Sequence, residues 1–512
     1  MEGAAIPAWG AVSPWTVVAF VLYLGAMVAI GIRASRFSSA GLGEFFLAGR
    51  GLSRVVVALS AVSSGRSGWL LLGFSGLAFA RGASALWAAV GYTAVEFVLC
   101  RSFGRRLRRL SGARDCLTLP DALAARLGEG RGWLRLCVVA VLLLFTTPYL
   151  GAQFVAGGKT FHSVFGLPEG AGIALTATIV LAYTVLGGFL AVSLTDVVQS
   201  LFMLFALIAL PLLAVADLGG WSVVWARLSE LDPTLVDPLA IGAGVAIGLV
   251  GIGLGSPGSP HILVRYMSIR DPEQLRGAAW ISLFWNVAMA LGAAAIGLAA
   301  RAQFGEAAGL PAGDRENAYP ALATAHPNPF LLGIVIASIF AAIMSTADSQ
   351  LLVAASAVVR DVYEKLILRR RGERRADGAL PPDPRRMVLV SRLVIVALVA
   401  VALVVAWLGG GVVFWLVLFA WAGMGAAFGP VLLLSLYWRG TTRAGALAGM
   451  AAGVGVLVLW VNQPALKAQL YELVPAFAAA AVVTVLVSLV TRAPGDTDEV
   501  FALMEGRRPR EG

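Results

Sequence analysis

The chain has 512 residues, of which 59% are hydrophobic and 13% charged, with a mean hydropathy of +0.84. A soluble domain is nearer a quarter charged, so the composition excludes a soluble fold and calls for a polytopic membrane protein. The net charge of +10 does not point to nucleic acid, because the arginines sit in short loops between apolar runs, where they report topology.

Thirteen apolar runs are predicted to be spans, near 15–33, 53–79, 84–102, 132–158, 169–187, 192–216, 238–257, 277–302, 329–357, 387–407, 411–437, 441–461 and 472–491. About 20 apolar residues suffice to cross the roughly 30 Å hydrocarbon layer. The segment Met1 to Pro14 lacks a basic signal-peptide region, which predicts that the first span is retained. Cys100, Cys116 and Cys137 have no metal-ligand spacing and suggest no disulfide framework.

Loop charge alternates along the chain. Arg33, Arg36 and Arg50 follow span one, and Arg101, Arg105, Arg106, Arg108, Arg109 and Arg114 follow span three. Lys365, Arg369, Arg370, Arg371, Arg374 and Arg375 follow span nine, and Arg439 and Arg443 follow span eleven. The intervening loops carry Glu230 and Asp232, then Glu306, Asp314 and Glu316. Positive-inside bias therefore predicts a cytoplasmic C-terminus and an outside N-terminus. The Arg101–Arg109 run is expected at the anionic inner membrane surface. Leu117-Thr118-Leu119-Pro120-Asp121 reads as the start of a short surface helix. The stretch 358–386, with Pro381 and Pro382, reads as a cytoplasmic linker.

Two spans are interrupted. Leu59-Ser60-Ala61-Val62-Ser63-Ser64-Gly65-Arg66-Ser67-Gly68-Trp69 places polar residues and a charge where a span should be most apolar. Such residues are costly at mid-depth unless they face a polar cavity. Span seven ends in Gly251-Ile252-Gly253-Leu254-Gly255-Ser256-Pro257-Gly258-Ser259-Pro260-His261, which should unwind the helix. The plainer reading is that these glycines only let helices pack closely. The breaks fall five spans apart, the signature of inverted repeats flanking a binding site. The expected division is a peripheral span and loop over 1–52 and a core over 53–437. The core holds repeats of about 53–216 and 238–437, followed by two peripheral spans over 438–491 and a cytoplasmic tail over 492–512.

Several blocks resemble the sodium/solute symporter family, most closely its sodium/proline branch. They are Glu44-Phe45-Phe46-Leu47-Ala48-Gly49-Arg50, Ser67-Gly68-Trp69-Leu70-Leu71, and Gly187-Gly188-Phe189-Leu190-Ala191-Val192-Ser193 with Thr195-Asp196. Met344-Ser345-Thr346-Ala347-Asp348-Ser349-Gln350-Leu351-Leu352 and Ala420-Trp421-Ala422-Gly423-Met424-Gly425-Ala426-Ala427-Phe428-Gly429-Pro430 complete the set. The resemblance implies an all-α, leucine-transporter-type fold with five-plus-five inverted repeats, working by alternating access. It implies a sodium site from the carbonyls of Ser63 and Arg66 together with Ala342, Ser345 and Thr346. Several oxygens from unwound backbone and hydroxyls suit a hard cation; the plainer alternative is that Ser345 and Thr346 bond back to their own helix. It sets Asp196 near an additional sodium site. It places Ser67, Gly68, Tyr149, Ile252 and Ser256 around the solute, Tyr149 being otherwise readable as a packed ring.

The chain departs from the proline branch at Gly65 and Arg66, where that branch carries an aspartate and a methionine. Ile252, Ser256 and Pro257 replace aromatic residues at the second break. Arg66 is expected to act as a tethered cation at or beside the sodium site, paired with Asp348 or Asp196, or else to face a wet vestibule. Glu96 is a further ionisable residue inside a span, facing a cavity or pairing with an arginine.

The implied function is secondary transport of a small organic solute, proline or a related amino acid, coupled to sodium in a bacterial plasma membrane. Sodium-independent or proton-coupled transport, exchange, or a transport-silent sensor on the same fold are the alternatives. Metalloprotease, serine-hydrolase and phosphate-loop motifs are absent, and His162, His261 and His326 are dispersed, so no enzyme is expected. The lipid bilayer and the solute are the expected partners, with no nucleic acid and no obligate protein partner.

Overall fold

The apolar runs fold as helices. The computed structural model describes residues 13–130, 132–325, 328–368, 383–409 and 413–507. Expectations that fall on residues 1–12, His326, Arg369 to Arg375, Pro381, Pro382 and 508–512 lie outside the described residues. Among the described residues, nine helices are long and apolar enough to cross a membrane, or ten if one bent pair is a single span. The count of thirteen differs for a physical reason. Trp69–Ala113 runs without a gap through much of two expected spans, and Arg54–Gly65, Glu169–Val185 and Leu473–Leu489 are shorter apolar helices. Exposed apolar side chains such as Leu22, Leu212, Phe284, Leu393 and Leu459 cover the outer faces, the surface a lipid-embedded protein needs.

Both predicted interruptions are present. The first core helix runs Arg54–Gly65, started by Ser53, whose hydroxyl accepts from the Val56 amide at 3.4 Å. It stops at Arg66, where φ is −109° and ψ is 64°, and resumes as a π-helical turn at Trp69–Phe74. The second runs Ala243–Gly251, tightens to a 3-10 turn over Ile252–Gly258, and resumes at Pro260–Ser268 with a 51° bend. Pro257 lacks the N–H a helix needs, and Pro260 opens the new helix at its first position. The two broken segments touch end to end. The Leu52 amide donates to Ser268 O at 3.2 Å, and the Arg270 amide donates to Leu52 O at 3.0 Å.

The second break lies directly on the helix Val413–Tyr437. A Cβ on Gly258 would sit 2.3 Å from Met424 O and 2.7 Å from Gly425 Cα. Gly258→Ala is therefore expected to force two backbones apart and cost about 1–3 kcal/mol. Gly25→Ala, where nothing lies within 4 Å, should be neutral. Thermal unfolding of the two detergent-solubilised variants checks this, and equal midpoints would contradict it.

One loop expectation is corrected. The helix Leu119–Leu127 forms, capped by Thr118, but it is buried rather than on the surface. Its Asp121 meets Arg135 at 2.5 Å and Arg360 at 3.1 Å, and Arg135 also pairs with Asp361. Four arginines of the Arg101–Arg109 run also make protein contacts. Arg105 and Arg109 reach Glu273 at 2.7 and 2.6 Å, Arg106 donates to Leu436 O, and Arg108 donates to Ile269 O.

Candidate functional site

The break at Gly65–Arg66 faces the helix Pro329–Ser356, whose residues from Val335 to Ser356 are all buried. Ending the first helix there leaves carbonyls without intrahelical partners. Ser345 Oγ lies 3.1 Å from Ser63 O and 3.1 Å from Ala342 O, and Thr346 Oγ1 lies 2.9 Å from Ser64 O. Five oxygens from two elements thus converge. The expected residues Ser63, Ala342, Ser345 and Thr346 come together, and Ser64 O joins them unforeseen. Ser345 bonds both within its helix and across the break, while Thr346 reaches only across it. The Ser63 hydroxyl is buried without a partner among the described residues. A site rich in oxygens, with one hydroxyl unsatisfied, has the donor chemistry that a hard cation requires.

Arg66 does not pair with Asp196 or Asp348, and this expectation is corrected. Its guanidinium is 1% exposed and pairs with Glu96 while Nε donates to Asn286 Oδ1 at 2.9 Å. Nη1 donates to Gly65 O at 3.3 Å, and the Tyr92 ring lies 3.8 Å beneath the guanidinium carbon. A buried charge needs such partners. The charge of Arg66 is thereby matched by the Glu96 carboxylate.

Asp196 instead carries Arg265, a residue not singled out from the sequence. Arg265 Nη2 meets Asp196 Oδ2 at 2.9 Å, and Nε donates to Ser60 Oγ at 2.9 Å. Ser60 Oγ donates to Asp196 at 2.5 Å, and Ser64 Oγ lies 3.3 Å away. Asp348 accepts from Tyr183 OH at 2.8 Å and from Ser349 Oγ at 3.0 Å. Ser349 also takes a hydrogen bond from Arg265 at 2.5 Å, so one guanidinium links both carboxyl neighbourhoods. Intramembrane charge was the signal that pointed to Asp196. Arg265 escaped it because span seven was ended at residue 257, whereas the helix runs on to Ser268.

A tight cavity of about 20 Å³ is bounded by the break. Arg66, Trp69, Tyr92, Tyr149, Ile252 and Trp421 form most of its wall. Of the residues expected around the solute, Tyr149 and Ile252 line it. Ser67 stands behind, its Oγ 3.4 Å from Tyr149 OH, and Gly68 is held by Gln153 through a 3.1 Å hydrogen bond. Ser256 turns to Glu96 at 3.2 Å instead. Trp69, Tyr92 and Trp421 were missed as site residues. Two of them stand in the quoted motif blocks, and that placement was the available signal. Trp421 closes the second break by donating to Ile252 O at 2.8 Å.

Comparison with known proteins bears on the family and the fold. A family model described as the sodium:solute symporter family matches residues 45–453. A sodium/proline symporter of Staphylococcus aureus (strain JH9) is 36% identical over 491 residues, covering 94% of this chain and 93% of that protein. In fold, the chain resembles a Na+-coupled sialic acid symporter solved in a substrate-bound outward-open state, with a TM-score of 0.78 and 17% identity over 94% of this chain and 99% of that one. It also resembles Mhp1, a nucleobase-cation-symport-1 family transporter solved in a closed conformation. There the TM-score is 0.56 at 13% identity, over 90% of this chain and 98% of that one. The expected leucine-transporter-type architecture holds, and the work of this fold is transport rather than catalysis. With the family model spanning both broken helices and a relative matched along nearly its whole length, the chain belongs to the sodium:solute symporter family.

Proposed function

We propose that this protein imports a small organic solute, proline or a related amino acid, with one sodium ion per cycle by alternating access. The observation that carries the reading is the set of oxygens of Ser63, Ser64, Ala342, Ser345 and Thr346 gathered across the first break. Sodium held there ties the broken helix to Pro329–Ser356. The solute cavity is walled by Gly65 and Arg66 of the same break, so ordering the break for one ligand prepares it for the other. Such coupling is reciprocal between the two ligands. Since Glu96 neutralises Arg66, the carbonyls at the break keep their attraction for a cation, and Arg66 need not stand in for sodium. Beside Asp196 the cation is Arg265, which stays protonated; we assign no sodium to that place. In this reading the core of 53–437 holds the two repeats, the protein lies in the plasma membrane, and the C-terminus is cytoplasmic.

Uptake of labelled proline into proteoliposomes tests the reading. An inward sodium gradient is expected to raise the initial rate by about 5- to 150-fold over a potassium gradient, with a Hill coefficient for sodium near one. Equal rates in the two gradients would overturn sodium coupling, and a coefficient near two would overturn the single site.

A further inference from the structure

The hydrogen-bond inventory of the cavity is one-sided. On the donor side, the Arg66 guanidinium has five N–H groups. Three are engaged, by Asn286 Oδ1, Gly65 O and Glu96 Oε2. Trp69 Nε1 and Tyr92 OH line the same cavity and are buried with no partner among the described residues. On the acceptor side, the carboxylate and carbonyl oxygens already hold hydrogen bonds, and only the neutral Tyr92 and Tyr149 hydroxyls keep free acceptor capacity. Glu96 Oε1 accepts from Ser256 at 3.2 Å, and Oε2 accepts from Arg66 and from Asn286 Nδ2 at 3.0 Å. Ile252 O accepts from Trp421 Nε1, and Ser67 Oγ accepts from Tyr149 and the Trp69 amide.

We infer that Arg66 anchors a carboxylate of the solute and that the site recognises small monocarboxylates with a compact apolar body, without requiring an ammonium group. This rests on the cavity being the solute site, as proposed above. A ligand that enters must satisfy buried donors with acceptors, since an unpaired buried polar group is costly. A carboxylate does so, because the planar guanidinium fork serves Glu96 on one edge and a second carboxylate on the other. Tyr92, stacked under Arg66, fixes the plane of that fork. An ammonium meets no unspent carboxylate in the wall. The apolar body rests on Tyr149, Ile252 and Trp421. Glu96 is a positioning residue: it holds the guanidinium and cancels its charge while the cavity is empty of solute.

Binding to the full-length protein in nanodiscs, read by calorimetry in sodium buffer, tests this with four probes. They are proline, cyclopentanecarboxylate, prolinamide and pyrrolidine. Cyclopentanecarboxylate is expected to bind within a few-fold of proline or more tightly, and prolinamide and pyrrolidine roughly 10- to 100-fold more weakly. Arg66→Gln combined with Glu96→Gln keeps the pair neutral and hydrogen-bonded, so folding is not put at risk by a stranded charge. This double variant should retain stabilisation by sodium, read as a thermal shift, while its affinity for both carboxylates falls to the level of prolinamide. Prolinamide binding as well as proline, or carboxylate affinity unchanged in the double variant, overturns the anchor. Loss of the sodium-dependent thermal shift in the wild type instead overturns the sodium reading and leaves the probe ranking to be judged on its own.

Discussion

Asp196→Asn is expected to be the most damaging single change in the buried core, costing about 3–5 kcal/mol of stability. Asp196 and Arg265 are both 0% exposed. The aspartate gathers Arg265 at 2.9 Å, Ser60 at 2.5 Å and Ser64 at 3.3 Å on one oxygen. Asparagine keeps the shape but strands the guanidinium, whose other contacts are hydroxyls and the His261 carbonyl. An uncompensated buried charge is what makes breaking such a pair expensive, whereas replacing both partners by apolar groups is often neutral. The double variant Asp196→Leu with Arg265→Met should therefore recover most of the loss. Unfolding midpoints of the wild type, Asp196→Leu, Arg265→Met and the double variant give the coupling directly. A wild-type midpoint for Asp196→Asn, or no recovery in the double variant, would show that the pair does not carry this balance.

The second large effect is expected at the oxygens proposed to hold sodium. Ser345→Ala and Thr346→Ala each remove one hydroxyl that faces the first break, at 3.1 Å from Ser63 O and 2.9 Å from Ser64 O. Losing a hydrogen-bonding group toward a charged ligand is worth about 10- to 100-fold in affinity. Each variant should raise the sodium concentration for half-maximal uptake by that order. Thr346→Ser, which retains the hydroxyl, should stay near wild type. Measuring sodium-dependent initial rates at saturating solute separates this from a folding defect. An unchanged sodium dependence in both alanine variants would remove these hydroxyls from the cation site.

The two breaks were legible because each violates the rule for apolar spans in its own way. Ser60 to Gly68 puts hydroxyls and an arginine at mid-span, and Gly251 to Pro260 denies the helix its hydrogen bonds. The pairing of charges was less legible. Glu96 is 30 residues from Arg66 in the chain, on a different helix, and nothing in local spacing distinguishes it from Asp196 or Asp348 as a partner. Arg265 was overlooked for a geometric reason. A 3-10 turn followed by Pro260–Ser268 carries the chain further inward than an apolar-run count allows, so an arginine that reads as a loop residue is buried. The cavity wall shows the same limit. Tyr149 and Ile252 were reached through family motifs, but Tyr92 enters because it stacks on Arg66, a contact that only folding creates. The short helix at Leu119 was legible from Pro120 in its first turn and Asp121 near its positive end, but its burial against Arg135 and Arg360 was not.

The two hydrogen bonds joining Leu52 to Ser268 and Arg270 have a mechanical consequence. They fasten the beginning of one broken segment to the end of the other, so the pair behaves as two arms on a common pivot. In the proposed cycle, a tilt of the first arm, where the Ser63 and Ser64 carbonyls accept from the hydroxyls of Pro329–Ser356, is passed through that pivot to the second arm, which carries Ile252 into the cavity wall. In that proposed cycle the cation and the solute thus press on the same lever from different positions, and neither needs to touch the other for their binding to be linked.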